Sequence, residues 1–246
     1  MKNKILVLGG SGQLGSYLKT KRYFKGHCFP TKKTLDITKK SILKKYIEDN
    51  KINLILNCAA IARMRECEKN RKNAYNVNVK GCKNLVAVIK ELPDKNIKLV
   101  HISSDAVYPS IHGNYSEKSK LKPYNFYGKT KILSEKIIKK LNNFIIIRTR
   151  FFIKNNIKFN TAAIDSYTSS IEVNKLIKYI IILIKKNFKG TINVGGKRVS
   201  DYKLYKKYKK IKICFHSDIQ SKLDFKISKD ASMRCDKLKK FILNAT

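Results

Sequence analysis

Four apolar residues, Ile5-Leu6-Val7-Leu8, run directly into Gly9-Gly10-Ser11-Gly12-Gln13-Leu14-Gly15, and Tyr17-Leu18 then open an amphipathic stretch. A short continuous apolar run suits a parallel strand buried on both faces. The glycines let the chain turn tightly, and they let a pyrophosphate approach the backbone at the N-terminus of the following helix. A strand, glycine turn and helix at the start point the rest of the chain toward an alternating α/β plan.

Later segments fit that plan. Strands are expected at His27 to Pro30, Ile52 to Leu56, Lys98 to Ile102 and Phe144 to Ile147. Asp36 with Thr38 reads as a helix start before Ser41-Ile42-Leu43. A helix through Leu85, Val86, Val88 and Ile89 should stop at Pro93 and Asp94. Arg63 to Lys72 is charged and should be solvated, and Pro109 to Pro123 has loop composition. With 246 residues the chain can hold one large α/β domain, with or without a small appendage.

Composition narrows the function classes. The first apolar run is too short for a secretory signal, and Tyr179 to Ile184 is too short to span a bilayer, so a cytoplasmic protein without membrane association is expected. Six cysteines lie scattered with no metal-binding spacing, so no metal is expected and reduced thiols are the default. The net charge of +38 comes from lysines spread along the whole chain, with no basic tail and no nucleic-acid motif. Nonspecific polyanion binding at low salt follows from charge alone. Specific nucleic-acid binding is not expected.

Chemistry gathers in two later stretches. Ser103-Ser104-Asp105 sits at the C-terminal end of an expected strand, and Tyr127-Gly128-Lys129-Thr130-Lys131 opens an expected helix. Tyr127 and Lys131, four residues apart, share one helix face. An ammonium beside a phenol favours phenolate, so the pair should be a proton donor tuned toward neutral pH. A serine hydroxyl opposite it can orient and polarise a carbonyl. In a lysine-rich chain such a pair is commonly two surface neighbours. The order of glycine turn, Asn57-Cys58-Ala59-Ala60, Ser103-Ser104-Asp105 and Tyr127 to Lys131 points further.

That order resembles the short-chain dehydrogenase/reductase superfamily in its extended, sugar-nucleotide branch. Within it the chain is similar to the dTDP-4-dehydrorhamnose reductases. The likeness is carried by Gly12-Gln13-Leu14-Gly15, Leu35-Asp36-Ile37-Thr38, Asn57 to Ala60, Val77 to Gly81, His101 to Tyr108 and Tyr127 to Lys131. It covers about residues 4 to 150 and reappears at Asn193 to Gly196 and Asp230 to Met233. The resemblance implies a Rossmann-like, doubly wound parallel sheet over 1–150. A small C-terminal substrate lobe over 151–246 would interleave with the last Rossmann elements and include the helix around Val173 to Lys186.

By the same resemblance, Gly9, Gly12, Gln13, Leu14 and Gly15 would hold the cofactor pyrophosphate. Asp36 and Ile37 would lie at the adenine, with Ala59 and Ala60 flanking the cofactor. Ser104 would bond the substrate carbonyl, and Tyr127 would donate the proton. Lys131 would bind the nicotinamide ribose and lower the tyrosine pKa. Asp105 and Phe151 would meet the sugar. The implied activity is NAD(P)H-dependent reduction of a 4-keto-6-deoxy nucleotide sugar, in deoxysugar or surface-polysaccharide biosynthesis. Lys32 and Lys33 stand where an acidic residue would select NAD, which leans the cofactor toward NADP. Extended reductases often dimerise, so a homodimer stays open.

Two departures bear on the substrate side. Ile61-Ala62-Arg63-Met64-Arg65 replaces the acidic and small residues of the family, and the stretch between Phe152 and Asp165 is short. Two alternatives therefore stay open. One is a nucleotide-sugar epimerase or dehydratase, although Ala106 after Ser104-Asp105 lacks a dehydratase's glutamate. The other is a catalytically silent NAD(P)-binding regulatory subunit.

Overall fold

The computed structural model describes residues 4–92 and 96–243. The first strand, β1 (Ile5–Leu8), is buried throughout. Ile5 and Val7 face one core cluster together with Leu14 and Leu18 of α1 (Gln13–Lys19), while Leu6 and Leu8 face a second cluster. An unbroken apolar run therefore serves a strand covered on both sides.

The chain continues through α2 (Lys40–Asp49), β2 (Leu54–Asn57), α3 (Met64–Lys69) and α4 (Arg71–Tyr75). A π-helical turn (Asn76–Lys80) leads into α5 (Gly81–Glu91). Then come β3 (Lys98–Ser104), α6 (Phe126–Ile138) and β4 (Phe144–Thr149). Four short strands follow: β5 (Phe151–Phe152), β6 (Thr161–Ala163), β7 (Tyr167–Thr168) and β8 (Ile171–Glu172). The long α7 (Val173–Lys185) leads to β9 (Gly190–Val194). The remainder is β10 (Val199–Ser200), α8 (Asp201–Tyr205), β11 (Lys212–Cys214), α9 (His216–Gln220) and α10 (Asp236–Leu243).

Strands β1, β2, β3, β4 and β9 lie side by side in that order and all run parallel. Helices α1 and α7 cover one face, and α2 and α5 cover the other. This is the expected Rossmann-like α/β architecture. Smaller pairings of β5 with β8, β6 with β11 and β7 with β10 lie outside that sheet, and Phe152, Ala162, Leu204, Tyr205 and Ile211 form a small cluster of their own.

The expected strand at His27 to Pro30 is reduced to a single parallel bridge, Leu6 to Cys28, with Val7 N–H donating to Cys28 O and Cys28 N–H to Ile5 O. Pro30 has no N–H to extend it. The bridge lies on the side of β1 opposite β2, so the chain visits one edge and then crosses back. The resulting reversal of winding direction opens a crevice at the C-terminal ends of β1 and β2.

Two further expectations are revised. Helix α2 starts at Lys40 rather than beside Asp36. Asp36 Oδ1 instead accepts from the Thr38 N–H and hydroxyl, both at 2.8 Å, closing a local turn. The helix around Val173 does not belong to the lobe. Its Val173, Leu176, Ile177, Ile180, Leu183 and Ile184 pack in the main core with Leu14, Leu18 and Ile192. The stop at Pro93 and Asp94 lies outside the described residues. Among the described residues, no helix is long and apolar enough to cross a membrane.

Candidate active site

Gly9 ends β1 with φ +76°, a conformation that favours glycine, and a Cβ there would stand 2.7 Å from the Ala59 backbone nitrogen. The turn and the end of β2 are therefore in close contact. Their crevice is lined by Gly9, Ser11, Gly12, Lys32, Asp36, Ile37, Cys58, Ala59 and Ala60. Backbone, small side chains and one flanking lysine match what an adenosine diphosphate requires. Gln13 is exposed at the first turn of α1. The Leu14 side chain is turned into the main core, and Gly15 is buried against the Gly10 backbone.

Asp36 stands at the edge of this crevice. Burial works against its charge, but the Thr38 hydrogen bonds, with Lys32 and Lys39 nearby, hold its carboxyl below the ordinary range. Lys32 also borders a neighbouring basic hollow with Lys40, Lys80 and Lys83.

The second half of the site lies at the C-terminal end of β3. Helix α6 begins with Asn125 Oδ1 capping the Gly128 N–H at 2.9 Å, while Glu68 Oε1 accepts from the Phe126 N–H at 2.7 Å. A Cβ on Gly128 would lie 2.2 Å from Ala106 O, so only glycine lets α6 approach the turn after β3 this closely. The approach brings Tyr127 within hydrogen-bonding reach of Ser104. Ser104 Oγ itself donates to Asp105 Oδ1 at 2.9 Å and accepts from the Ala106 N–H at 3.2 Å. Asp105 is buried, which raises its pKa; Arg150, 4.0 Å away, works in the opposite direction.

Lys131 follows on the same face of α6, almost fully buried, with Nζ donating to Ile102 O at 2.6 Å and lying 3.1 Å from His101 Nε2. This corrects the expected tuning of the tyrosine. Burial pushes the Tyr127 phenol up, the Ser104 hydrogen bond pulls it back, and Asp105 and Cys67 push it further up. Lys131 is directed at His101 and the Ile102 carbonyl instead. Tyr127 is thus a phenol kept protonated well past neutral pH. Phe151 is half-buried and packs on the main core.

Several residues of the site were not singled out from sequence. Glu135 sits one turn beyond Lys131 and pairs with Arg148 through Nε at 3.0 Å and Nη2 at 2.7 Å, both residues fully buried. Ser103 Oγ donates to Glu135 Oε1 at 2.5 Å, and Arg148 Nη1 donates to Tyr108 Oη at 2.9 Å. This network fastens α6 to β3 and β4. Asn78, on the π-helical turn, accepts from the Ile61 N–H and donates to Ile61 O and Thr130 Oγ1, tying the chain after Ala60 to α6. The signals were present: Glu135 continues the stripe of Tyr127 and Lys131 at helical spacing, and His101 is the polar residue inside an apolar strand.

A model of the RmlD substrate binding domain matches residues 2–164. The chain belongs to this family. Similar curated proteins include a dTDP-4-keto-6-deoxy-D-glucose reductase of Streptomyces niveus, 33% identical over 143 residues, covering 56% of this chain and 48% of the relative. A dTDP-4-dehydrorhamnose reductase of Aggregatibacter actinomycetemcomitans is 32% identical over 152 residues, covering 59% and 50%. The chain thus spans about half the length of these curated relatives. Among solved structures, the dTDP-4-dehydrorhamnose reductase of Bacillus anthracis in complex with NADP superposes with TM-score 0.84 at 24% identity, over 98% of this chain and 92% of that one. That likeness concerns the fold.

Proposed function

We propose that this RmlD-family protein is an NAD(P)H-dependent reductase of a 4-keto-6-deoxy nucleotide sugar. One observation supports the reading: Tyr127 stands beside Ser104 at the end of β3, Lys131 follows one turn on with its Nζ at the Ile102 carbonyl, and a crevice suited to a dinucleotide lies at the ends of β1 and β2. The relatives named above, reductases of such sugars, support the substrate class. The nicotinamide cofactor would supply the hydride. Gly9, Gly12 and the first turn of α1 would hold its pyrophosphate, Asp36 and Ile37 its adenosine end, and Ala59 and Ala60 its flank.

The chain's own residues do the rest. Ser104 Oγ donates to Asp105 Oδ1 in this structure, and rotation of the hydroxyl would turn that proton from Asp105 to the substrate oxygen near Tyr127 Oη. Tyr127 Oη donates its proton to the alkoxide as it forms. A phenol held protonated by burial is suited to that direction of proton transfer. Lys131 would bind the nicotinamide ribose. Asp105 and Phe151 would border the sugar, and the segments around Phe152, Ala162, Leu204, Tyr205 and Ile211 would supply the substrate lobe. Lys32, facing both the crevice and the basic hollow, favours a 2′-phosphate and therefore NADPH.

The test combines fluorescence titration with NADPH and NADH at moderate salt and turnover of a 4-keto-6-deoxy nucleotide sugar. The expected result is saturable binding that prefers NADPH, with turnover lowered by about 10²-fold or more in Tyr127→Phe while nucleotide binding persists. Saturable binding without turnover in either protein would favour a silent regulatory subunit instead.

A further inference from the structure

Lys131 Nζ touches the Ile102 carbonyl and His101 Nε2. The character of the second contact depends on where the imidazole proton sits, and that is settled from the far side of the ring. Asn57 and His101 are register partners on β2 and β3, both fully buried. Asn57 Oδ1 accepts the Ala59 N–H at 3.1 Å. Its amide nitrogen is therefore the atom 3.2 Å from His101 Nδ1, and it also faces Cys82 Sγ at 3.6 Å. Flipping the amide would set donor against donor at Ala59. Nδ1 must accept, so a neutral imidazole carries its proton on Nε2.

An Nε2–H cannot accept from an ammonium. An imidazolium would aim a second N–H at the Asn57 amide nitrogen and place two cations 3.1 Å apart in a buried site. A neutral lysine amine satisfies every atom: its lone pair accepts from Nε2–H and its N–H donates to Ile102 O. Ser134 Oγ, 3.3 Å from Nε2, donates to Lys131 O and so brings only another acceptor.

We propose that His101 is a positioning residue holding Lys131 as a neutral amine before nucleotide binds, and that nucleotide binding adds a solvent proton to Lys131 Nζ. The proposal rests on the reading that Lys131 meets the nicotinamide ribose, whose hydroxyl oxygens, with the phosphate charge nearby, favour an ammonium. The balance is one proton from water or buffer onto the amine, with no other bond changed.

The surroundings agree. Burial pulls the Lys131 pKa down, and Cys82, Glu135, Cys58 and Cys67 pull it back up. The Cys82 thiol is itself pushed to about 11, and Cys58 and Cys67 to about 12, mainly by burial, so none is a thiolate at neutral pH. Glu135 is held by Arg148, and Tyr127, one turn earlier on α6, stays protonated. Burial drives His101 well below its ordinary value, which keeps the ring neutral.

Nitrogen-15 NMR of the nucleotide-free protein should find His101 as the Nε2–H tautomer, unchanged between about pH 6 and 8. Calorimetric titration with NADPH in buffers of different ionisation enthalpy should record uptake of about one proton at mildly alkaline pH, with affinity falling up to about tenfold per pH unit in that window. Lys131→Met should abolish the uptake. His101→Gln, which can offer an acceptor to Asn57 and an N–H to Nζ, should keep it, and His101→Leu should lose it. A purely structural histidine would leave uptake the same in both His101 variants. An Nδ1–H tautomer, or NADPH binding without proton uptake, overturns the proposal. Absence of NADPH binding refutes the reductase reading and the uptake with it, and the tautomer still decides whether His101 holds an amine.

Discussion

Replacing Glu135 with glutamine removes one charge from a fully buried ion pair while keeping its shape. Glutamine can still accept from Ser103 through its carbonyl oxygen, but its amide nitrogen would face an Arg148 nitrogen where a carboxylate oxygen now sits 2.7 Å away. At that separation and an effective dielectric constant near 20, the Coulomb attraction lost is about 6 kcal/mol. Desolvation already opposed the pair, and measured losses on breaking buried pairs are about 3–5 kcal/mol. Against a total stability of about 5–15 kcal/mol this is a large fraction. For a chain of this size it corresponds to a fall in Tm of about 6–20 °C. Urea unfolding followed by circular dichroism would measure it. The double variant Glu135→Leu with Arg148→Met should recover most of the loss, since apolar replacement of both partners is often neutral. A single variant within about 1 kcal/mol of the parent would refute the claim that this pair holds α6 against the sheet.

Other outcomes follow from the same contacts. Stability should fall steeply as pH rises through the thiol and phenol range. Burial raises Cys58 and Cys67 to about 12, Cys82 and Cys235 to about 11 and Tyr108 to about 12, so the unfolded chain loses these protons first. Their stabilisation is complete below about pH 8 and declines above it, and urea midpoints across an alkaline series would show no decline if these groups were exposed. Gly9→Ala should abolish nucleotide binding and lower Tm, because its Cβ would press on the Ala59 backbone at a positive φ; a variant that binds normally would remove the turn from the site. Lys32→Glu should lower the ratio of NADPH to NADH affinity by about tenfold or more, a charge effect that should shrink with added salt. An unchanged ratio in the titration would free Lys32 of that role.

Much of the scaffold was legible because parallel strands buried on two faces announce themselves as apolar runs, and the glycine turn must follow the first of them. Ser104, Tyr127 and Lys131 were legible as types and spacings. What spacing omits is direction. Helical periodicity placed Lys131 on the face of Tyr127, but it could not show that Nζ turns to His101, because that contact requires β3 to lie under α6. The partnership of Asn57 with His101 likewise arises from sheet order, across 44 positions of sequence. The edge at Cys28 is shorter than its sequence suggests, because a local apolar-aromatic segment looks like a strand whether or not its N–H groups find partners. Linear position after residue 150 puts the helix at Val173 with the lobe, because sequence order does not reveal that the chain returns to the sheet.

That return has a consequence for how the molecule is made. The main core waits for α7 and β9, and Leu238 of α10 joins it as well. As the chain leaves the ribosome, the glycine turn, Ser104 and Tyr127 are all synthesised while one face of their sheet is covered by α1 alone. Strands β5 to β8 emerge before α7 covers that face, while β10, α8 and β11 emerge after it. Vectorial synthesis therefore closes the main core only once α10 has followed the lobe, and a chain stopped between residues 150 and 190 presents a part-covered apolar sheet rather than a finished domain.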